Sequence, residues 1–390
     1  MAAAAARPPP ELIEDAVAEI LLRLPPDEPA RLLRASSVCK LWRRILSDPA
    51  FPRRYRRFHR TPPPLLGVFK VVHCPNPIPR FIPTTAPSPF PGTAFFYHNT
   101  WLPIDCRHGR VLLQHNRNLN NLLVWDPVTG DREELPGLPR ACPCRFSSTS
   151  RLSAAVLCAA AGCDHCHCHG GPFLVVCVDN NINGLAEVYL YSSQIGEWSV
   201  LACFQEDGIK SSFCIFQNKS SFCPSSAVLI GDEIYFTLML GGVPKIVSYD
   251  LGSHCLSLIS LPELRSMGLV LMPTEEGLLG LAGTRDYSLF LWSRMVNAEG
   301  VAEWVQCREI DLETTLPIDS PIDLVNIIGF AEDVNVIFVD TNCGTFIIDL
   351  KSGQARKVNE SVRFSPVVPF MSFYTPGCAC SRLPLPAETN

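Results

Sequence analysis

The chain has 390 residues, 47% of them apolar, with 33 Lys and Arg against 38 Asp and Glu and a formal net charge of −5. That length allows two or three domains with sizeable cores, and the acidic balance argues against a phosphate-binding role for the molecule as a whole. No apolar run approaches the ~18–20 residues of a membrane span, and the opening MAAAAARPPP has no apolar region of signal length, so neither a membrane nor export is expected. Eighteen cysteines in a chain this large, with no export signal read, are expected to be reduced and buried, as in the cytosol or nucleus.

After a disordered stretch over 1–10, residues 11–60 read as a helical domain. Ile13, Val17, Ile20, Leu21 and Leu24 form one stripe of a 3.6-residue period, which Pro25-Pro26 stops. Val38, Leu41, Trp42, Ile45 and Leu46 repeat the pattern after Ser36-Ser37, a pair suited to an N-cap. Asp48-Pro49 then reads as a cap plus first helical residue, leading into Phe51, Tyr55 and Phe58. Fifty residues make a poor independent core, so the stripes are expected to need a partner. Residues 1–60 carry 12 basic and 7 acidic side chains, whereas the remainder carries 21 and 31. The run Arg53, Arg54, Arg56, Arg57 and Arg60 is therefore read as a solvated helix face with its aromatics inward, and no nucleic-acid partner is expected.

The order of these elements resembles the F-box. The resemblance rests on Leu12-Ile13-Glu14, Glu19-Ile20-Leu21-Leu22-Arg23-Leu24-Pro25, Leu32-Leu33-Arg34, Val38-Cys39-Lys40-Leu41-Trp42-Arg43 and Asp48-Pro49-Ala50-Phe51. It departs from the family at Pro10-Glu11-Leu12, where Leu-Pro is usual, at Pro29-Ala30, and at Pro52 near the start of the fourth helix. The resemblance implies a Skp-type adaptor as partner and, through it, a cullin-based ubiquitin ligase. It also implies the docking positions: Leu12, Ile13, Ile20, Leu24, Pro25, Leu32, Leu33, Val38, Lys40 and Trp42, some of which act by holding the helices together.

Proline dominates 61–92, which reads as a semi-rigid junction without helix or interior strand, residues from about 65 packing on the domain that follows. Residues 93–376 then read as all-β: short runs of Val, Ile, Leu, Phe and Tyr punctuated by Gly, Asn, Asp and Pro. A repeat shows through, an apolar strand ending on an anchor followed by Asp or Ser and a turn. Its anchors are Trp125, Tyr191, Tyr249, Trp292 and Ile348, 43 to 66 residues apart. Gly109, Gly231 and Gly329 mark a second element, a turn into a strand. Such periodicity predicts a β-propeller, the segment around Phe69 to Phe96 completing a sixth blade. A two-sheet sandwich is the alternative. The fold class expected is an α+β multidomain chain: a small helical F-box, then an all-β propeller of about six blades, then a disordered tail over 377–390.

The β domain resembles the kelch-like or F-box-associated domain of plant F-box proteins, especially those of grasses. The match runs through Phe58-His59-Arg60-Thr61-Pro62-Pro63, Asp105-Cys106-Arg107-His108-Gly109-Arg110-Val111-Leu112, Trp125-Asp126-Pro127-Val128-Thr129-Gly130-Asp131, Tyr191-Ser192-Ser193 and Phe346-Ile347-Ile348-Asp349-Leu350-Lys351-Ser352-Gly353. It implies a domain that binds a target protein without specifying which.

Cys158, Cys163, Asp164, His165, Cys166, His167, Cys168 and His169 crowd twelve residues. Thiolates and imidazoles suit zinc or copper(I), and Cys163, His165, Cys166 and Cys168 are the candidate ligands. No second well-spaced pair completes a zinc-finger pattern, so the segment is read as a flexible insertion, with no metal and no cofactor expected. Phosphate loops, G-x-S-x-G elbows and H-E-x-x-H pairs are absent from the sequence. Asp105-Cys106-Arg107-His108, which sets a thiol two residues from an imidazole, is read as a loop entering a blade. The expected function is a non-enzymatic substrate-recognition subunit of a Skp–cullin–F-box ubiquitin ligase. The alternatives are an F-box scaffold outside a ligase and a carbohydrate-binding β domain.

Overall fold

A computed structural model describes residues 13–73, 77–84, 88, 90, 100–139, 152–163, 165, 168, 170–180, 185–205, 227–240, 243–262, 268–317, 325–359 and 366–376. Leu12, Cys166 and both expected tails lie outside the described residues.

The N-terminal helices are α1 (Glu14–Leu22), α2 (Pro29–Ser36), α3 (Lys40–Leu46) and α4 (Phe51–His59). Pro29 opens α2 at a position whose N–H would be unsatisfied in any helix, and Pro52 sits in the first turn of α4 for the same reason. Ser36 and Ser37 do not cap α3. Both hydroxyls donate back to the Leu33 carbonyl, at 2.6 and 3.1 Å, so they close α2. Nor are Asp48 and Pro49 the cap and first residue of α4: Ala50 is the N-cap and Phe51 the first helical residue, and the Asp48 carboxylate accepts from the Ala50 N–H at 2.8 Å in the turn before it. Val17, Leu21, Leu22, Leu32, Ile45, Leu46, Phe51 and Tyr55 form the helical core, joined by Phe373 from the far end of the chain.

The strands follow as β1 (Leu65–His73), β2 (Pro77–Pro83), β3 (Trp101–Arg107), β4 (Arg110–His115), β5 (Leu122–Trp125) and β6 (Arg132–Glu134). Then come β7 (Ser153–Cys158), β8 (Phe173–Asn180), β9 (Leu185–Ser192), β10 (Glu197–Gln205), β11 (Val228–Ile230), β12 (Glu233–Leu240), β13 (Val243–Asp250) and β14 (Leu256–Ser260). The series ends with β15 (Leu269–Pro273), β16 (Leu279–Arg285), β17 (Ser288–Val296), β18 (Ala302–Asp311), the short α5 (Leu312–Thr315), β19 (Asn326–Ala331), β20 (Val336–Thr341), β21 (Gly344–Asp349), β22 (Ala355–Asn359) and β23 (Val367–Met371).

These make six antiparallel sheets. Five take four consecutive strands each, and the sixth, ordered β2-β1-β23, joins the first two strands to the last. This is a six-bladed propeller closed by both ends of its own chain. Each of the six interfaces between neighbouring blades holds its own apolar cluster. A blade is therefore covered on both faces. On β4, Val111 and Leu113 face one neighbour while Leu112 faces the other, which is why the strands read as continuous apolar runs.

All five sequence anchors are buried, each on the third strand of its blade. After four of the anchors the next residue starts the turn; after Trp292 the strand runs on to Val296. Asp126, Asp250 and Asp349 each accept from backbone N–H groups two or three residues ahead, at 2.6 to 3.2 Å. Gly130, Gly196, His254 and Gly353 close the same turn through the carbonyl four residues back. Gly329, by contrast, does not mark a turn. It lies within β19, where an added Cβ would come within 2.6 Å of Val367, so glycine there permits the close approach of β19 to the closing blade.

The proline-rich stretch contains two strands, and one of them, β1, is interior, paired with β2 on one side and β23 on the other, contrary to the expectation. β2 carries Pro77, Pro79 and Pro83 and stands at the outer edge of the closing blade, where a missing N–H spoils no further pairing. A buried ion pair ties that blade to its neighbour: Lys70 Nζ lies 3.8 Å from Asp340 Oδ1 and 3.3 Å from Thr345 Oγ1. Burial pulls the Lys70 ammonium below its ordinary range, and Asp340 opposes the shift.

Candidate functional site

Two surfaces stand out. The first lies on the helical domain, whose core is complete without three large apolar side chains. Ile13 is 72% exposed, Val38 63% and Ile20 42%. Ile13 and Ile20, seven residues apart, fall on one side of α1, and Val38 leads into α3, which packs on α1. Of the other expected docking positions, Lys40 is exposed, while Leu24, Pro25, Leu33 and Trp42 are half-buried. Leu33 packs toward the propeller cluster of the closing blade. Leu32 has no exposed surface at all and belongs to the helical core. The resemblance implied both Leu32 and Ile20 as docking positions; only the packing separates them.

The second surface is a cavity of about 1060 Å³ between α4 and one mouth of the propeller. Arg53, Arg56, Arg57 and Arg60 line its helical side. The basic run is thus not simply a solvated face: Arg56 is buried, while Phe58, expected inward, is 44% exposed. On the propeller side stand Asp105, Arg107, Glu332 and Asp333. Arg107 donates to Glu332 Oε2 at 2.9 Å and to the Ala227 carbonyl at 2.9 Å, joining three blades. Asp105 accepts from the Val156 N–H at 2.9 Å, and burial, opposed by Arg107, pushes its carboxyl above the usual range.

Cys106 and His108 do not make a nucleophile and base. Burial pushes the Cys106 thiol up, and burial together with His165, Arg107 and Arg110 pushes the His108 imidazole down to about 3, opposite to what activation requires. At the cavity rim His108 instead stacks on His165, with ring centres 3.9 Å apart. His165 belongs to a convergence of side chains: the ligand atoms of Cys158, Cys163, His165 and Cys168 all lie within 4.8 Å of one another. Cys158, at the end of β7, thus joins three of the four candidates named from sequence. A strand terminus five residues upstream carries no spacing signal by which to choose it.

Residues 10–54 match the F-box domain, and residues 103–377 match the family described as F-box protein AT5G49610-like, beta-propeller. The chain belongs to this F-box protein family. An F-box joined to a propeller supports a protein of the substrate-recognition type, and the F-box family is typically a non-catalytic adaptor whose domain implies a Skp-type partner. No curated protein matches. Solved structures with some likeness include a hypothetical selenium-binding protein from Sulfolobus tokodaii, 11% identical with a TM-score of 0.44, covering 78% of this F-box protein and 75% of that chain. TolB from Acinetobacter baumannii is 12% identical with a TM-score of 0.34, over 65% of this chain and 52% of its own. Sqt1 from Saccharomyces cerevisiae is 12% identical with a TM-score of 0.33, over 64% and 60%. The F-box protein thus spans roughly half of the TolB chain, and these likenesses carry nothing about activity or partner. Among the described residues no helix is long and apolar enough to cross a membrane.

Proposed function

We propose that this protein is the substrate-recognition subunit of a Skp–cullin–F-box ubiquitin ligase of the cytosol or nucleus. Residues 11–60 dock the adaptor and the propeller holds a target protein. The observation that carries the reading is the set Ile13, Ile20 and Val38, exposed on a bundle whose core is already filled. Single exposed apolar residues are ordinary; three on one small module are a surface awaiting another polypeptide. Leu24, Trp42 and Lys40 extend the docking set, and Leu32 supports it from beneath. The protein would act by proximity, raising the concentration of target beside a ubiquitin-loaded enzyme, with no bond-making groups of its own. The channel-mouth cavity is the concave surface offered to the target.

The test is titration of the full chain with a purified Skp-type adaptor, comparing wild type with Ile13→Ser/Val38→Ser. A fully buried Ile or Val contributes about 1.5–3 kcal/mol; scaled by the two exposures, docking gains about 2–4 kcal/mol from this pair. Binding is expected to weaken about 30- to 700-fold with the melting temperature unchanged. Undiminished affinity of the double variant would refute the docking surface.

A further inference from the structure

We propose that Cys158, Cys163, His165 and Cys168 form a structural zinc site that staples the loop between β7 and β8 to the rim of the channel-mouth cavity. Three thiols and one imidazole are a donor set that selects zinc over magnesium or calcium, and four protein ligands leave no open coordination position for catalysis. The distances fit. With Zn–S near ~2.3 Å and Zn–N near ~2.05 Å, a tetrahedral site has S···S edges of about 3.8 Å and S···N edges of about 3.6 Å. Here Cys163 Sγ lies 3.6 Å from Cys168 Sγ, and Cys168 Sγ lies 3.6 Å from His165 Nδ1. Every ligand atom of the four is within 4.8 Å of the others.

The chain builds this arrangement with a hairpin. β7 and β8 pair as far as Cys158 with Phe173, and the Ala159 N–H continues the ladder to the Pro172 carbonyl at 3.0 Å. Of the described residues between the two strands, Cys163, His165 and Cys168 bring their ligand atoms back to Cys158 at the end of β7, with left-handed backbone at Gly162, His165 and Gly170. What holds the loop from outside is Arg110, a buried residue at the start of β4 in the neighbouring blade. Its guanidinium donates to the Cys168 carbonyl and, at 2.6 Å, to the Gly171 carbonyl, while lying 5.4 Å from the centre of the Phe173 ring. Zinc with three thiolates and a neutral imidazole carries a net negative charge, which this cation offsets. His108 stacks against the imidazole of His165 and supports the ligand from the cavity side, with an interplanar angle of 11°.

This site fixes one wall of the cavity, because both His165 and Cys168 line it. Among the described residues Arg110 holds the loop at Cys168 and Gly171 only, so the part carrying Cys163 and His165 is tightened when the ion is bound and loosened when it is removed. Binding deprotonates the thiols, so uptake of each zinc ion releases protons to solvent and weakens as pH falls.

The experiment uses the full chain expressed with zinc and purified without chelator, with metal content read by mass spectrometry. One zinc per chain is expected, falling below about a tenth of an equivalent in Cys158→Ser/Cys163→Ser while the exposed-cysteine control Cys307→Ser keeps its zinc. Wild-type protein loaded with Co²⁺ should show thiolate-to-cobalt charge-transfer and tetrahedral d–d bands, and chelation should raise proteolysis within 159–172. Wild-type protein that stays below about a tenth of an equivalent after incubation with zinc overturns the site, as does copper in its place or a disulfide among these cysteines in zinc-treated protein.

Discussion

Truncating Phe373 is expected to melt the helical domain and spare the propeller. Phe373 stands two residues past β23, is 4% exposed, and packs in the core formed by α1 to α4. Its ring meets Tyr55 edge-on with centres 6.3 Å apart, and Tyr55 is fully buried, its hydroxyl donating to the Leu24 carbonyl at 2.6 Å. Phe→Ala in a packed core costs about 3–5 kcal/mol. At ~0.05–0.15 kcal/mol per residue, a module of about fifty residues holds only about 2.5–7.5 kcal/mol. Phe373→Ala should therefore remove most of that stability. In calorimetry of the full chain a new low-temperature transition should separate from the propeller's, because the side chain that joins the helical core to the end of β23 is gone. Limited proteolysis should cut first within 13–60. A single transition displaced by no more than about 1 kcal/mol, with an unchanged cleavage pattern, would show that the helices do not depend on this side chain.

Two further predictions concern ring closure and acid stability. Lys70→Ala removes one partner of a buried pair that links the closing blade to β20, and should cost about 3–5 kcal/mol in denaturant unfolding of the propeller, partly recovered by adding Asp340→Asn; a loss under about 1 kcal/mol would contradict the pairing. Asp349 is held below the usual carboxylate range, first by the Ser352 N–H, which it accepts at 2.6 Å. A depressed folded-state value contributes stability that is present above the unfolded value of about 3.9 and lost as pH falls through the folded one. Melting temperature should therefore drop less steeply below about pH 4 in Asp349→Asn than in wild type, and equal slopes would refute the turn's share.

The propeller was legible because its local signals repeat. The anchors from Trp125 to Ile348 fell on equivalent strands since each blade needs a bulky residue between neighbours, and after three of them an aspartate caps the same turn. What could not be read locally came from residues distant in sequence. No pattern near Leu32 tells that it is enclosed while Ile20 stays open, and nothing near Tyr55 points to Phe373. Ser36 and Ser37 close α2 where an N-cap of α3 is expected, because a serine between two helices can serve either end. Arg56 looked like its solvated neighbours until the propeller covered it. The proline-rich β2 became a strand only because the ring offered it an outer edge. The Cys/His run showed its chemistry in composition but not its geometry, since Cys158 reaches the others only through the hairpin.

The most direct test of the bridging role is a pull-down of cullin on the immobilised full chain, with and without purified Skp-type adaptor. The account predicts retention of cullin only when adaptor is present, abolished by Ile13→Ser/Val38→Ser. Failure to retain cullin from wild-type protein with adaptor, or retention unaffected by that double variant, would contradict it.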